Sequence, residues 1–176
     1  NNINIAIIGL GQVGAYLYGE LLRNRLNINL LTGKKINIVA ISAKNIKKKR
    51  QIKINKKIFY PNPLNIIKKH KIDILFECIG LADGISKKIV EIALKRKIHV
   101  ITPNKALISK HGDFLSKIAE KNKVNLEFEA SVCGGVPIIR SLKEGLIANK
   151  INKVFGIFNG TSNYILSSMD KENKSF

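Results

Sequence analysis

Cysteine is scarce in this sequence: only Cys78 and Cys133 occur among 176 residues, far apart and each inside an apolar stretch. Two isolated thiols make neither a disulfide frame nor a zinc site, so both are expected to be buried and free in a reducing, cytoplasmic compartment. Long hydrophobic runs are also missing, and none reaches the ~20 residues that a membrane span needs. The N-terminus lacks the basic, apolar and small-residue succession of a secretory signal. Acidic side chains are few, 12 against 31 lysines and arginines, which leaves a formal charge of +19. A basic face suits nucleic acid. Here, however, the lysines are spread over nearly every polar segment, and no aromatic residues interleave with them as stacking platforms. Biased composition accounts for the charge, and no nucleic-acid or membrane partner is expected.

What is present is the balance of a soluble globular chain, 45% hydrophobic and 24% charged, long enough for one domain or for one domain and the start of a second. Ile3 to Ile8 is a short apolar run stopped by Gly9 and reads as a buried parallel strand. Apolar residues at helical spacing follow from Ala15 to Leu26, giving a strand, a turn and a helix. Further strands are expected over 36–41, 72–79, 99–101 and 124–128, with helices over 64–70, 85–97 and 112–121. This alternation implies right-handed crossovers and a parallel sheet. From about Glu129 the texture turns glycine-rich, with a helix expected over 137–146 and a strand over 153–158. A domain boundary is expected near Ala130, dividing the chain into 1–129 and 130–176.

Gly9-Leu10-Gly11-Gln12-Val13-Gly14 matches the G-x-G-x-x-G pattern directly after a strand and at the opening of a helix. The first glycine permits a tight turn, the second lets the backbone approach a pyrophosphate, and the third allows close packing of helix on strand. The helix N-terminus supplies oriented N–H donors to the anion. The second strand ends Ile41-Ser42-Ala43-Lys44, without the carboxylate that would bind the ribose 2′-hydroxyl of NAD. Lys44 and the cations beyond it therefore favour NADP, with NAD the alternative. The run Lys47 to Arg50 is either a solvated loop or a second aid to the cofactor.

The turn Thr102-Pro103-Asn104-Lys105 follows a strand at the sheet edge where such folds place ligands. An ammonium at Lys105 would stabilise charge developing on a carbonyl oxygen beside the nicotinamide; a surface lysine without a role is the plainer reading. Glu129, followed by the Cys133-Gly134-Gly135 turn and Pro137, offers the all-oxygen chemistry of a hard cation. Otherwise it is a capping acceptor. Asn159-Gly160-Thr161-Ser162 places a turn before a helix that Thr161 or Ser162 would cap. His70, His99 and His111 fit no shared metal or base constellation.

Taken in order, the glycine turn, Thr102 to Leu107, Glu129 to Ile139 and Gly156 to Leu166 resemble the motifs of homoserine dehydrogenases, and the resemblance covers nearly the whole chain. It implies a Rossmann-type doubly wound parallel sheet followed by the start of an α+β substrate and dimerisation domain. The implied activity is NAD(P)-dependent interconversion of L-aspartate 4-semialdehyde and L-homoserine, by an enzyme that is a homodimer or homotetramer. By the same resemblance, Lys105 is the family's first essential lysine. Leu10, Gln12 and Val13 line the cofactor with the three glycines, and Ile79, Gly80 and Asn104 also contact it. Glu129, Val132, Gly134 and Val136 hold a monovalent cation, sodium by expectation. Pro103 stands where relatives often carry alanine, a tolerable change in a turn. The family pattern continues with an acidic stretch that binds the substrate amino group and with a second lysine that moves the proton. The sequence reaches Phe176 before either and begins at Asn1 without methionine, so a fragment is expected that binds cofactor but turns over poorly or not at all. The alternatives are a cofactor-binding module without catalysis, or another amino-acid dehydrogenase of this fold, such as an aspartate dehydrogenase.

Overall fold

The computed structural model describes residues 2–157, 159–172 and 175. Six parallel strands form one sheet: β1 (Asn2–Ile8), β2 (Lys35–Ser42), β3 (Phe59–Tyr60), β4 (Ile74–Glu77), β5 (His99–Ile101) and β6 (Leu126–Glu127), in the order β3-β2-β1-β4-β5-β6. The chain winds outward from β1 to β3, returns, and winds the other way from β4 to β6. A crevice therefore opens beyond the carboxyl ends of β1 and β4, at the point where the order reverses.

Both faces of β1 are covered, which is why its sequence is apolar throughout rather than alternating. Ala6 and Ile8 join a core with Leu75, Val100 and the inner faces of α4 (Ile85–Lys95) and α5 (Lys105–Asn122). Ile5 and Ile7 point the other way and pack with Leu10, Tyr18, Ile36 and Ile41 beneath α1 (Gln12–Arg23). One strand thus locks two helical layers to each other. Burying such an isoleucine contributes about 1.5–3 kcal/mol.

Several expectations are corrected. The first helix does not run straight to Leu26. It ends at Asn24 and is followed by α2 (Arg25–Thr32), which Gly33 terminates in the left-handed conformation at φ +65°. The helix expected from Gly112 starts about two turns earlier, at Lys105, because the Asn104 side chain accepts from the Leu107 N–H and caps it. The helix expected over 137–146 is a single turn, α6 (Ile138–Arg140), running into a wider turn over Ser141–Gly145. Within the expected strand at 153–158, residues 153–157 pair with no other strand, so no ladder holds them extended, and Phe158 lies outside the described residues. The short α3 (Leu64–Lys69) is found as expected. The final helix, α7 (Gly160–Glu172), is capped by Asn159, whose side chain accepts from Ser162 N–H, and not by Thr161 or Ser162. Around it Phe155, Ile157, Tyr164 and Leu166 are exposed. Among the described residues no helix is long and apolar enough to cross a membrane.

Candidate functional site

The carboxyl end of β1 is pinned from both sides. Gly9 N–H donates to the Ser42 carbonyl at the end of β2 (2.8 Å), and Cys78 N–H donates to the Ile8 carbonyl (2.7 Å). Gly9 holds φ at +97°, and a Cβ there would stand 2.5 Å from the Cys78 carbonyl oxygen. Gly14 is buried in the first turn of α1, and a Cβ on it would collide with the Gly9 carbonyl oxygen. Gly11 differs: it is exposed, and nothing lies within 4 Å of its Cβ position. Two of the glycines are therefore required by the protein's own packing, while the third faces open space at the N-terminus of α1. No side chain caps that end, so its N–H groups are available to an anion. Gln12 and Val13 are exposed beside Gly11, and Leu10 is buried beneath the turn.

Lys44 is exposed just past β2. Beyond it, Arg50 has a role that its place in a run of cations did not reveal. Its Nε donates to the Leu10 carbonyl (3.0 Å), Nη1 to Lys48 (2.9 Å) and Ile46 (3.3 Å), and Nη2 to Asn45 (2.9 Å). One planar guanidinium thereby folds the basic loop and fastens it to the glycine turn.

Across the crevice, the end of β4 carries Glu77, fully buried. Its Oε1 accepts from Ile79 N–H (2.8 Å) and Ser86 Oγ (3.1 Å), and its Oε2 from Thr102 Oγ1 (2.7 Å) and Asn104 Nδ2 (3.2 Å). Thr102 Oγ1 in turn accepts from Asn104 N–H, and Asn104 Nδ2 also donates to the Leu81 carbonyl at 2.8 Å. In the sequence, a charged residue at the end of an apolar run is the only local sign of this cluster. Ile79 is half-buried, and Gly80 is exposed with φ at +89°.

Lys105 is exposed as the first residue of α5, at the same edge of the sheet as the glycine turn. A cation in a first helical turn opposes the helix dipole, and no acidic residue in that turn offsets it. Helix formation therefore does not explain the lysine. Nearby, the Asp83 carboxyl pairs with Lys110 Nζ (2.6 Å) and His111 Nε2 (2.8 Å), which hold it below the usual carboxylate range. Burial, and then the charge of Glu77, push the Cys78 thiol up to about 12. Cys133 is exposed, against expectation, because it belongs to a loop whose residues 133–137 are all exposed.

The Glu129 carboxylate accepts from Ile139 N–H (2.9 Å) and Arg140 N–H (2.7 Å), holding the start of α6. Val132, Gly134 and Val136 belong to the loop between them, and the Val136 carbonyl accepts from Ile138 N–H at 2.8 Å. A carboxylate and neighbouring carbonyls keep further lone pairs, and such oxygen donors suit a hard monovalent cation. His70 bonds the Tyr60 hydroxyl, His99 accepts from Asn125 N–H, and His111 pairs with Asp83. Among the described residues no cluster of His, Cys, Asp and Glu is placed to hold a metal.

A parallel sheet in this order, with a glycine turn feeding the helix after its first strand, defines a Rossmann-type domain of the nicotinamide-dinucleotide class. Residues 9–129 match the family model for the NAD-binding domain of homoserine dehydrogenase, and residues 137–176 match the model for homoserine dehydrogenase itself. The chain belongs to the homoserine dehydrogenase family. It is 38% identical to the homoserine dehydrogenase of Neisseria gonorrhoeae and 34% identical to that of Bacillus subtilis, each over 99% of this chain and 40% of the relative. The solved enzyme from Thiobacillus denitrificans superposes with a TM-score of 0.84 at 35% identity, over 99% of this chain and 40% of that one. The S. aureus enzyme at pH 7.5 gives 0.81 at 37% identity, over 99% of this chain and 41% of that one. The chain thus spans about 40% of the length of the curated relatives it matches.

Proposed function

We propose that this chain forms the cofactor-binding part and the beginning of the catalytic part of an enzyme interconverting L-aspartate 4-semialdehyde and L-homoserine. That reaction belongs to threonine and methionine biosynthesis, and we place the enzyme in the cytoplasm. The observation that carries this reading is that Lys105, after β5, and the Gly9–Gly14 turn, after β1, both lie past the carboxyl ends of the parallel strands, on either side of the crevice at β4. The domain division we propose is 1–129 and 130–176.

A bound nicotinamide supplies or removes the hydride. Gly9, Leu10, Gly11, Gln12, Val13 and Gly14 would hold its pyrophosphate, and Ile79, Gly80, Asn104 and Lys105 its nicotinamide half. The Lys105 ammonium polarises the substrate carbonyl and stabilises negative charge developing on its oxygen. NADP is the preferred dinucleotide: β2 ends Ser42-Ala43-Lys44 with no carboxylate to meet a free 2′-hydroxyl, and Lys44 suits a phosphate. Glu129, Val132, Gly134 and Val136 would bind sodium. The exposed Phe155, Ile157, Tyr164 and Leu166 support a homodimer or homotetramer of the whole enzyme.

A fluorescence titration of the chain with NADPH and NADH tests the cofactor, and failure to bind either removes the reading. For the activity, the chain is joined to the remainder of the family's catalytic domain and assayed for NADP-linked oxidation of L-homoserine.

A further inference from the structure

Glu77 is fully buried, and no lysine or arginine is among its four hydrogen-bond donors. A buried carboxylate is costly to keep unless its lone pairs are filled, so four neutral donors converging on one acid form a built arrangement. The donors come from three separate places. Ile79 N–H belongs to the segment leaving β4, Ser86 to α4, and Thr102 with Asn104 to the turn entering α5. Asn104 extends the chain of contacts in two directions, capping α5 at Leu107, two residues past Lys105, and holding Leu81 on the opposite segment.

We propose that Glu77 is a positioning residue for the hydride-transfer site: one carboxylate sets the 79–81 segment and the Lys105 helix start at a fixed separation, forming the two sides of the nicotinamide slot. This rests on the function proposed above for Lys105 and the glycine turn. The chemistry demands a carboxylate and not merely a polar group of the same shape. Ile79 N–H and Asn104 Nδ2 can only donate, and they address different oxygens of the acid. A glutamine at this position would turn its NH2 toward one or the other in either orientation, leaving two donors face to face. Were Asn104 to flip its amide to accept from that NH2, its own NH2 would face the Leu107 N–H and the cap of α5 would be lost. With Glu77→Gln, therefore, one side of the slot is released while the glycine turn is untouched.

Calorimetric titrations of the chain with NADPH, and with 2′-phospho-ADP-ribose, which lacks the nicotinamide, separate positioning from general damage. Glu77→Gln is expected to weaken NADPH about tenfold while 2′-phospho-ADP-ribose stays within about twofold of wild type. Thr102→Val keeps the acid, removes one donor and the acceptor for Asn104 N–H, and is expected to act in the same direction by about threefold. It decides the question if the glutamine variant does not fold. Equal loss of both ligands in the folded variants, or no loss of either, overturns the positioning role. A wild-type chain that binds neither NADPH nor NADH overturns the cofactor reading itself, and the inference with it.

Discussion

Gly14 lies so close to Gly9 that a single added carbon on the former would strike the carbonyl oxygen of the latter. Gly11, between them in the same motif, meets nothing. Alanine at the two positions should therefore separate folding from binding. Gly14→Ala is expected to cost about 1–3 kcal/mol of stability through overpacking. Gly11→Ala should melt close to wild type, since its φ of −71° suits any residue, yet lose most NADPH affinity because its methyl enters the space open to the pyrophosphate. Thermal melting and fluorescence titration of the two variants check both halves.

Arg50 and Lys44 should differ in which dinucleotide they affect. Arg50 fastens the basic loop to Leu10, so Arg50→Ala is expected to weaken NADPH and NADH alike. Arg50→Lys should rescue little, because an ammonium cannot reproduce the planar fork. Lys44→Ala should weaken NADPH by about tenfold and leave NADH nearly unchanged. Equal effects of Lys44→Ala on both cofactors would remove the NADP assignment.

Lys105 is exposed and opposes the dipole of its own helix. Lys105→Ala should accordingly leave the melting temperature unchanged or slightly raised. In the protein completed with the rest of the family's catalytic domain, the same change should lower kcat by about 100-fold or more, with NADPH affinity altered far less. Steady-state kinetics beside a cofactor titration make that comparison.

The Asp83 carboxyl is held low by Lys110 and then by His111. Since its folded value lies below its unfolded one, the stabilisation is present above the ordinary carboxylate range and fades as pH falls through the folded value. Asp83→Asn should therefore melt below wild type at neutral pH, with the two curves converging in acid. The pair is exposed, so the gap should also shrink in high salt. Melting temperatures over a pH series at two salt concentrations show whether it does.

The two cysteines should react unequally. With its thiol at about 12, Cys78 stays protonated and shielded near pH 8, whereas Cys133 is exposed. Brief treatment with iodoacetamide followed by mass spectrometry of peptides should find label on Cys133 and nearly none on Cys78.

Much of this was legible in the sequence for local reasons. Apolar runs stopped by glycine placed β1 and its turn, because a strand buried on both faces leaves a continuous signal. Lys105 stood out through its neighbours in a short motif. What stayed hidden depends on contacts between distant segments. Arg50 is one cation in a basic run until its guanidinium meets Leu10, 40 positions away in the chain. Glu77 looked like a flaw in a strand, since its partners at Ser86, Thr102 and Asn104 come together only when the sheet forms. The alternating Leu-Asn-Ile-Asn-Leu of α2 has the period of a strand, and its helical form, with Ile28 packed against the core, is not legible in that pattern.

The pinning of the glycine turn also orders events during synthesis. Gly9 needs the Ser42 carbonyl, and Ile8 needs the amide of Cys78. A nascent chain that has not yet delivered residue 78 from the ribosome holds the whole G-x-G-x-x-G sequence but only half of its supports. The turn is translated about 70 residues ahead of its second support and is completed only once Cys78 has emerged, so a ribosome paused before that point would carry a chain unable to retain a dinucleotide.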